Sequence, residues 1–345
     1  MEMELNSRER VLGLFRHEKI DRAPVFSGMG NITIHGLEKY GWVFPGIHVD
    51  AHKMASMAAS TFHLFGFECA VVPFDLGVEA EALGAGVNFY PAHTDIIYPT
   101  IAEKVAEKVS DLNIQMPSNL ARAGRIPLVV QAIHYLKEEV GDQVAIGASV
   151  LGPYTLAGQL VDIADLGKAA FKKTNMVHGI LNTLAGVLIE ICRIYREAGA
   201  DYVTIREMGA GADILSPRMF QSLIRPHLER VFSAIESPKV LHICGDTDSI
   251  VGQMDLCGAD AISVEQKNNI AESRRKGKPD TLILGNIDAY KVLVLGGPDD
   301  IDKVVKETIA NGVDAIWPGC DIWPTVSRVN MEALMAAAGQ YGKIR

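Results

Sequence analysis

Short apolar runs rich in Val, Ile and Ala recur along the chain and alternate with longer stretches in which apolar residues return every three or four positions. The short runs are typical of buried strands, and the longer pattern is typical of amphipathic helices. The predicted strands are residues 23–27, 69–74, 144–150, 202–207, 240–244, 261–265, 282–286 and 315–318. Predicted helices between them include residues 177–197, 217–235, 246–257 and 298–311. Eight strands that alternate with helices predict a (β/α)8 TIM barrel, with a doubly wound open sheet as the rival fold.

An internal repeat favours the closed barrel. The segments "GADYVTI" (199–205), "GADAISV" (258–264) and "GVDAIWP" (312–318) each follow a predicted helix and open the fourth, sixth and eighth strands. In each segment we expect Gly to end the helix, Asp to start the loop, and the apolar run to enter the barrel.

The regular alternation is interrupted once, over roughly residues 76–125, where "YPAHTDIIYPT" is followed by a polar stretch. We interpret this region as an insertion after strand two, which serves either as a cap over the active face or as a long loop. No low-complexity linker is found in the sequence. We therefore predict one domain, residues 1–345, in which a barrel follows an N-terminal segment.

Composition narrows the class of protein. The net charge is −9, without a basic stripe, which argues against a nucleic-acid partner. The charged N-terminus has no apolar core, and no uninterrupted apolar run approaches the roughly 18 residues of a membrane span. Five scattered cysteines do not suggest a disulfide framework and fit a reducing compartment. We expect a cytoplasmic protein in which neighbouring Cys and His residues bind metal or act in catalysis.

Chemically active side chains cluster at the ends of the predicted strands. In a TIM barrel, catalytic groups lie at the carboxyl ends of the strands and on the loops that follow. The candidates at these ends are Asp75, Glu207, His242, Cys244, Glu265, Asn286, Asp288 and Cys320. We therefore expect them to converge on one face of the barrel.

His242, Cys244 and Cys320 form the most specific group among these candidates. His242 and Cys244 are two positions apart on one predicted strand, so both side chains point to the same side. Two thiolates and an imidazole suit Zn²⁺, and three protein ligands leave a fourth position open, as in catalytic zinc sites. The spacing alone leaves a second interpretation open, in which these are small buried residues without chemistry. A Cys–His nucleophile pair is disfavoured because the two groups stand side by side.

The chain resembles the uroporphyrinogen decarboxylase superfamily and, within it, the methylcobamide:coenzyme M methyltransferases. The similar segments include "KIDRAPV" (19–25), "VPFDLGVEAEALG" (72–84), "GRIPLVVQAI" (124–133), "SVLGPYTLAGQL" (149–160), "VLHICGDT" (240–247), "ISVEQK" (262–267), "LGNID" (284–288) and "PGC" (318–320). The H-x-C pair with a distant P-G-C is the specific part. The decarboxylases themselves carry an arginine-rich segment near the N-terminus, whereas "FSGMGNITIHG" (26–36) contains no Arg. The resemblance thus implies methyl transfer rather than decarboxylation, although Asp75 matches the pyrrole-binding aspartate of the decarboxylases.

The resemblance also implies a set of ligands. One Zn²⁺ per chain would be held by His242, Cys244 and Cys320, with Glu265 as a fourth ligand. The methyl donor would be a methylated corrinoid carried by a separate protein. The acceptor would be a small thiol, coenzyme M, with tetrahydrofolate or another thiol as alternatives and a decarboxylase-like lyase as the enzymatic rival.

The remaining candidates are assigned to the substrate cavity. We expect Asp75, Glu207, Asn286 and Asp288 to line it. Coenzyme M carries a sulfonate, yet the predicted mouth is acidic, since Asp246, Asp248 and Asp321 follow the two cysteines. Arg206 and Lys267 are the candidate cations for that sulfonate.

Overall fold

The structure, a computed structural model, describes residues 4–343. Its strands are β1 Cys69–Val72, β2 Gly86–Asn88, β3 Thr100–Glu103, β4 Ala145–Leu151, β5 Tyr202–Arg206, β6 Lys239–His242, β7 Ala261–Ser263, β8 Leu282–Ile287 and β9 Ala315–Pro318. Its helices are α1 Ser7–Phe15, α2 Ile34–Tyr40, α3 Ala51–Phe65, α4 Val78–Ala82, α5 Ile126–Val140, α6 Pro153–Leu160, α7 Ile163–Lys172, α8 Thr174–Glu197, α9 Pro217–Met219, α10 Arg225–Ala234, α11 Val251–Asp255, α12 Ile270–Lys276, α13 Pro298–Ala310 and α14 Arg328–Tyr341.

The main sheet confirms the predicted parallel architecture. Its strand order is β1-β4-β5-β6-β7-β8-β9, and every neighbouring pair is parallel. These strands lie at the positions predicted for strands two to eight, with ends that differ by at most two residues. Because parallel strands end at one edge, the loops after β4 to β9 meet at a common mouth.

The first predicted strand, residues 23–27, closes the barrel without forming a regular strand. Val25 makes a single parallel bridge to Ile316 of β9. The Ile316 N–H donates to the Pro24 carbonyl at 2.9 Å, and the Glu68 N–H ahead of β1 donates to the Val25 carbonyl at 2.9 Å. Pro24 has no N–H, and the Val25 N–H is bound to the Glu68 carboxylate at 2.7 Å, so no ladder continues. The prediction of a regular strand is therefore wrong, while the predicted (β/α)8 barrel is confirmed.

Two predicted helices have different bounds in the structure. The helix predicted at 246–257 is reduced to α11, because the Thr247 N–H and hydroxyl both bind the Asn268 side chain and fix the preceding loop. The helix predicted at 217–235 contains a π-helical turn, Phe220–Ile224, between α9 and α10. Pro226 follows this turn and cannot donate an N–H to the preceding helical turn, which favours the widened backbone.

Among the described helices, α8 is long and apolar enough, by length and composition alone, to cross a membrane. In its most apolar window, 56% of the residues are buried inside the protein. The helix packs against α6 and α10 on the outside of the barrel. This is the environment of a core helix, which passes the same test.

The interior of the barrel below the mouth is filled by aromatic side chains. The Phe26 ring lies edge-on to Trp317, with ring centroids 4.9 Å apart, and edge-on to Tyr202 at 5.8 Å. All three side chains are fully buried. Edge-to-face aromatic packing adds to the burial of apolar area. The N-terminal segment thus closes the sheet and also fills its centre.

The Gly-x-Asp repeat has a structural basis at the opposite end of the barrel. The glycine that opens each repeat has a positive φ, 112°, 88° and 93° in chain order. The carboxylates of Asp201, Asp260 and Asp314 each accept a hydrogen bond from the neighbouring strand. The donors are the N–H groups of Ile146, Lys239 and Ile283, at 2.9, 2.9 and 2.7 Å. Each repeat therefore fixes the register of two strands.

We expect Asp260→Ala to lower the free energy of unfolding by about 2 kcal/mol, because it removes a charge-assisted hydrogen bond to the start of β6. Urea unfolding followed by circular dichroism measures this change. Asp280→Ala, at an exposed position outside the repeats, is the control and should change stability little. Equal losses in the two variants would contradict the role of the repeat.

Candidate metal centre

His242, Cys244 and Cys320 lie together at the barrel mouth, as predicted. His242 ends β6, Cys244 follows two residues later, and Cys320 lies two residues beyond β9. The His242 Nε2 atom is 3.0 Å from the Cys244 Sγ atom, and the Cys244 and Cys320 Sγ atoms are 4.0 Å apart. The fold thus gathers one imidazole and two thiols from parts of the chain separated by 76 residues.

The His242 ring is oriented from behind. Its Nδ1 atom is 3.0 Å from the Ser263 hydroxyl oxygen on β7, which leaves Nε2 facing the cysteines. Burial, with a smaller contribution from the nearby Arg206 charge, lowers the pKa of His242 to about 3. The ring is therefore neutral at physiological pH, the form in which imidazole binds metals.

The two thiols differ in their electrostatics. Hydrogen bonding with Cys320, reinforced by burial, raises the pKa of the Cys244 thiol. The same hydrogen bond lowers the pKa of Cys320 and outweighs the opposing effect of burial. In the metal-free protein, Cys320 is therefore the more acidic of the two thiols.

The donor set fits a zinc ion in chemistry and nearly in spacing. Two sulfurs on a tetrahedral zinc at about 2.3 Å stand about 3.8 Å apart, close to the 4.0 Å between Cys244 and Cys320. An imidazole nitrogen and a sulfur on the same ion stand roughly 3.5 Å apart, whereas the His242–Cys244 contact is a 3.0 Å hydrogen bond. Within residues 4–343, no group of three or more His, Cys, Asp or Glu side chains is arranged so that it could hold a metal ion without side-chain movement.

Glu265 lies beside this donor set. Its Oε2 atom accepts the Gly245 N–H at 2.9 Å, directly after Cys244. The loop that carries Cys320 packs closely here, since a Cβ atom on Gly319 would lie 3.2 Å from the Glu265 Cα atom. The partly buried carboxylate is thus near both cysteine loops.

The two cations considered for a sulfonate are bound to carboxylates. Arg206, fully buried on β5, forms a two-pronged ion pair with Asp321, in which the Nη1–Oδ1 distance is 3.1 Å. Lys267, exposed at the rim, lies 3.3 Å from Asp213. Neither side chain is available as an unpaired anion site.

A cavity of about 580 Å³ opens beside Cys320 and Asp321. Its walls are mainly apolar and come from the loop after β9 and from the predicted insertion, which folds as α4 and the antiparallel hairpin β2–β3. The insertion supplies Tyr98, Ile101 and Lys104. Within the described part of the chain, Lys104 is the one lysine or arginine in this lining. These residues could not be predicted, because the insertion has no periodic pattern. In the structure the insertion forms a wall of the cavity rather than a simple loop.

Asp75 lines the cavity, but its carboxylate is occupied. Arg125 donates to both oxygens at 2.8 and 2.9 Å, His48 Nδ1 lies 3.1 Å from Oδ2, and the Gly77 N–H donates to Oδ1 at 2.9 Å. Burial alone would raise the pKa of Asp75, but the hydrogen bonds from Arg125 and His48 outweigh it and hold the pKa well below its usual range. Asp75 is therefore an anion, and both of its carboxylate oxygens already accept hydrogen bonds from within the protein.

Glu207, expected to line the cavity, instead caps the helix after β4. Its carboxylate accepts the N–H groups of Tyr154 and Thr155 at 2.9 and 2.7 Å and the Thr155 hydroxyl at 2.6 Å. The side chain is fully buried at the start of α6. Burial raises the pKa of Glu207 to about 7, although these hydrogen bonds partly offset it. The structure thus gives Glu207 a structural position rather than an exposed one.

Asn286 and Asp288 hold the loops around the mouth. The Asn286 side chain donates to the carbonyls of Glu265 and Asn268, at 3.2 and 3.0 Å. The Asp288 carboxylate accepts the N–H groups of the two residues at 290 and 291, at 2.9 and 2.7 Å. Both remain partly exposed near the site.

We expect Glu207→Gln to change the pH dependence of stability. The folded pKa of Glu207, about 7, lies above the 4.5 of an ordinary glutamate, so the folded state holds a proton that the unfolded state releases. This contribution to stability is present below pH 4.5 and is lost as the pH rises through 7. Unfolding free energies measured from pH 4.5 to 8 should therefore fall by about 3 kcal/mol less in Glu207→Gln than in the wild type.

The exposed Glu107 provides the control. Glu107→Gln should keep the wild-type pH dependence. The assignment is contradicted by a Glu207→Gln variant whose stability falls with pH as steeply as that of the wild type.

Comparisons with known proteins identify the family and the fold of the chain. The family model "Uroporphyrinogen decarboxylase (URO-D)" matches residues 6–341. A methylcobamide:CoM methyltransferase of Methanosarcina barkeri is 31% identical over 98% of this chain and 99% of its own length. A uroporphyrinogen decarboxylase of Rhodococcus jostii is 28% identical over 74% of this chain and 70% of its own length. The solved structure of a methyltransferase from Methanosarcina mazei superposes with a TM-score of 0.92 at 29% identity, covering 98% of this chain and 99% of that protein.

Proposed function

Because the chain belongs to the uroporphyrinogen decarboxylase family, we propose that it is a methyltransferase that moves a methyl group from a methylated corrinoid to coenzyme M. The relative that is 31% identical over nearly the full length of both chains carries a name for this reaction. The observation that carries the proposal is the gathering of His242, Cys244 and Cys320 at 3.0 and 4.0 Å beside a cavity.

His242, Cys244 and Cys320 would hold one zinc ion per chain, and the carboxylate of Glu265 would supply the remaining ligand until an acceptor binds. Bound there, zinc would supply Lewis acidity that keeps an acceptor thiol deprotonated at neutral pH, where a free thiol with a pKa of about 8.5 is mostly protonated. Ser263 keeps His242 in the required orientation. Two cysteine ligands, rather than a His-rich set, would leave the acceptor sulfur electron-rich.

The cavity beside Cys320 would hold the acceptor. Its apolar walls, such as Ile101 and Ile322, exclude water from the sulfur. In the reaction, a bond forms between the acceptor sulfur and the methyl carbon, and the bond between cobalt and that carbon breaks, leaving its electron pair on cobalt. We propose that a separate corrinoid protein presents the methyl group at the barrel mouth, on a chain that resides in the cytoplasm.

Lys104 would bind the sulfonate of coenzyme M. Its ammonium donates to the Gly158 carbonyl at 2.8 Å and to the Val161 carbonyl, which leaves one N–H for a ligand. Arg206 and Lys267 are both paired with aspartates, so Lys104 is the better-placed cation.

Decarboxylation of a porphyrinogen is not supported by the Asp75 environment. A pyrrole N–H needs a free carboxylate lone pair, and those of Asp75 are directed at Arg125, His48 and Gly77. The N-terminal segment 26–36 has no arginine to receive propionates. The same segment instead binds the Cys320 loop, through the Gly30 N–H.

We expect Cys320→Ala to lose its zinc and to slow the coenzyme M-dependent demethylation of methylcobalamin by about 100-fold or more. The absorbance change of methylcobalamin measures the rate, and elemental analysis measures the metal. Cys192→Ala, which removes a buried thiol from α8, is the control and should retain both. A Cys320→Ala variant with the wild-type rate would refute the proposed site.

We expect Lys104→Met to raise the KM for coenzyme M about tenfold, because a charge-assisted hydrogen bond to the sulfonate is lost. The KM for 2-mercaptoethanol, which has no sulfonate, should stay unchanged. Lys108→Met, a change at a neighbouring exposed lysine, is the matched control. If both KM values rise equally in Lys104→Met, the lysine does not recognise the sulfonate.

A further inference from the structure

Of the three proposed zinc-binding residues, Cys244 and Cys320 each lie two residues beyond the end of a strand, outside the sheet. His242 belongs to β6 and Cys244 follows it after one residue. Cys320 lies in the irregular loop between β9 and α14. The loop therefore needs contacts of its own to keep the Cys320 sulfur 4.0 Å from that of Cys244.

We propose that Arg206 and Asp321 are positioning residues that fix Cys320 for metal binding. The proposal rests on the zinc site described above and adds two residues to it. Asp321 directly follows Cys320, and Arg206 lies on β5. Their two-pronged ion pair ties the loop to the barrel wall.

The location of Arg206 links both halves of the donor set. In the parallel pairing of β5 and β6, Arg206 is the register partner of His242. The arginine side chain is fully buried, and its Nε atom has no hydrogen-bond partner within residues 4–343. A buried guanidinium needs a carboxylate, and Asp321 supplies it. The ion pair therefore fixes the Cys320 loop relative to the strand beside His242.

The N-terminal segment completes this attachment. The Gly30 N–H donates to Asp321 Oδ1 at 2.7 Å, and the Ile322 N–H donates to the Gly30 carbonyl at 2.9 Å. A Cβ atom at position 30 would lie 3.0 Å from the same Asp321 oxygen, so the close approach favours glycine. The loop is thus held on one side by β5 and on the other by the segment that closes the barrel.

Removing one partner should disturb the loop more than removing both. Loss of the Arg206 charge leaves the Asp321 carboxylate with only the Gly30 N–H, at 2.7 Å, and the Cys320 thiol, at 3.8 Å, as donors within residues 4–343. Loss of the Asp321 charge leaves a buried guanidinium unpaired. Residues that orient metal ligands typically change metal affinity about 10- to 100-fold when they are replaced.

The experiment compares Arg206→Met with the wild type in a competition between the protein and a chromophoric chelator for zinc. We expect the zinc affinity to fall at least about tenfold. In the Co²⁺-loaded protein, the thiolate-to-cobalt absorption band should weaken, because one of the two sulfur ligands is no longer held in place. A change in stability alone would leave this band unchanged.

Arg274→Met is the matched control. Arg274 forms an ion pair with Asp314 at the other end of the same strand, β9, far from the cysteines. This variant should keep the zinc affinity and the cobalt spectrum of the wild type. Arg206→Lys keeps the charge but not the two-pronged geometry, so an intermediate affinity is expected, and this variant reports on the proposal if Arg206→Met does not fold.

The double variant Arg206→Met/Asp321→Asn is compared with the single variants Arg206→Met and Asp321→Asn. Its fold-loss of zinc affinity should be smaller than the product of the two single fold-losses, because neither charge is left unpaired. The proposal is overturned if Arg206→Met binds zinc within about twofold of the wild type with an unchanged cobalt spectrum, or if Arg274→Met loses as much affinity.

A measurement without metal separates this proposal from the proposed function. In metal-free protein, glutathione disulfide can oxidise the two thiols to a Cys244–Cys320 disulfide, and the equilibrium with glutathione reports their effective concentration. We expect this concentration to fall at least about tenfold in Arg206→Met and to stay unchanged in Arg274→Met. A wild-type protein that binds no zinc but shows this difference would refute the zinc enzyme and support the positioning role. Equal values in Arg206→Met and the wild type would refute the positioning role.

Discussion

The meeting of the ends of β6 and β9 at one closed rim is the constraint on which the site depends. In sequence, Cys244 and Cys320 are 76 residues apart, and in the sheet their strands are separated by β7 and β8. Closure curves the sheet so that the loops after both strands face the same opening. The closing contact is made by a short segment around Val25, which is bonded to β9 on one side and to the start of β1 on the other. The segment thereby stabilises both the barrel and the loop that carries Cys320.

The charges at the mouth form an internally balanced network. Asp75 and Asp321, two of the acidic residues there, are neutralised by Arg125 and Arg206. Glu207 accepts the first N–H groups of α6, which only partly offset the burial that raises its pKa to about 7. The acidic side chains that the sequence places at the mouth therefore largely hold loops and helices in place. Besides these paired aspartates, the cavity is lined by the Cys320 thiol, apolar walls and one lysine.

The sequence pattern predicted the parts of the structure that follow from local physics. Buried parallel strands are continuous apolar runs, so β1 and β4 to β9 were located within two residues. Because catalytic groups of a TIM barrel lie at the carboxyl ends of its strands, the sequence also predicted that His242, Cys244 and Cys320 would lie together. Partners remote in the chain could not be predicted, since Arg125 reaches its aspartate across 50 residues and carries no periodic signal. For the same reason the insertion's contribution to the cavity became visible only in the fold.

X-ray absorption at the zinc edge counts the sulfur ligands of the metal and so shows whether both cysteines hold it. We expect two sulfur neighbours at about 2.3 Å and one imidazole in the zinc-loaded protein, and three sulfurs after coenzyme M is added. The proposed thiol activation is contradicted if the zinc has no sulfur neighbours, or if the number of sulfur neighbours does not change when coenzyme M binds.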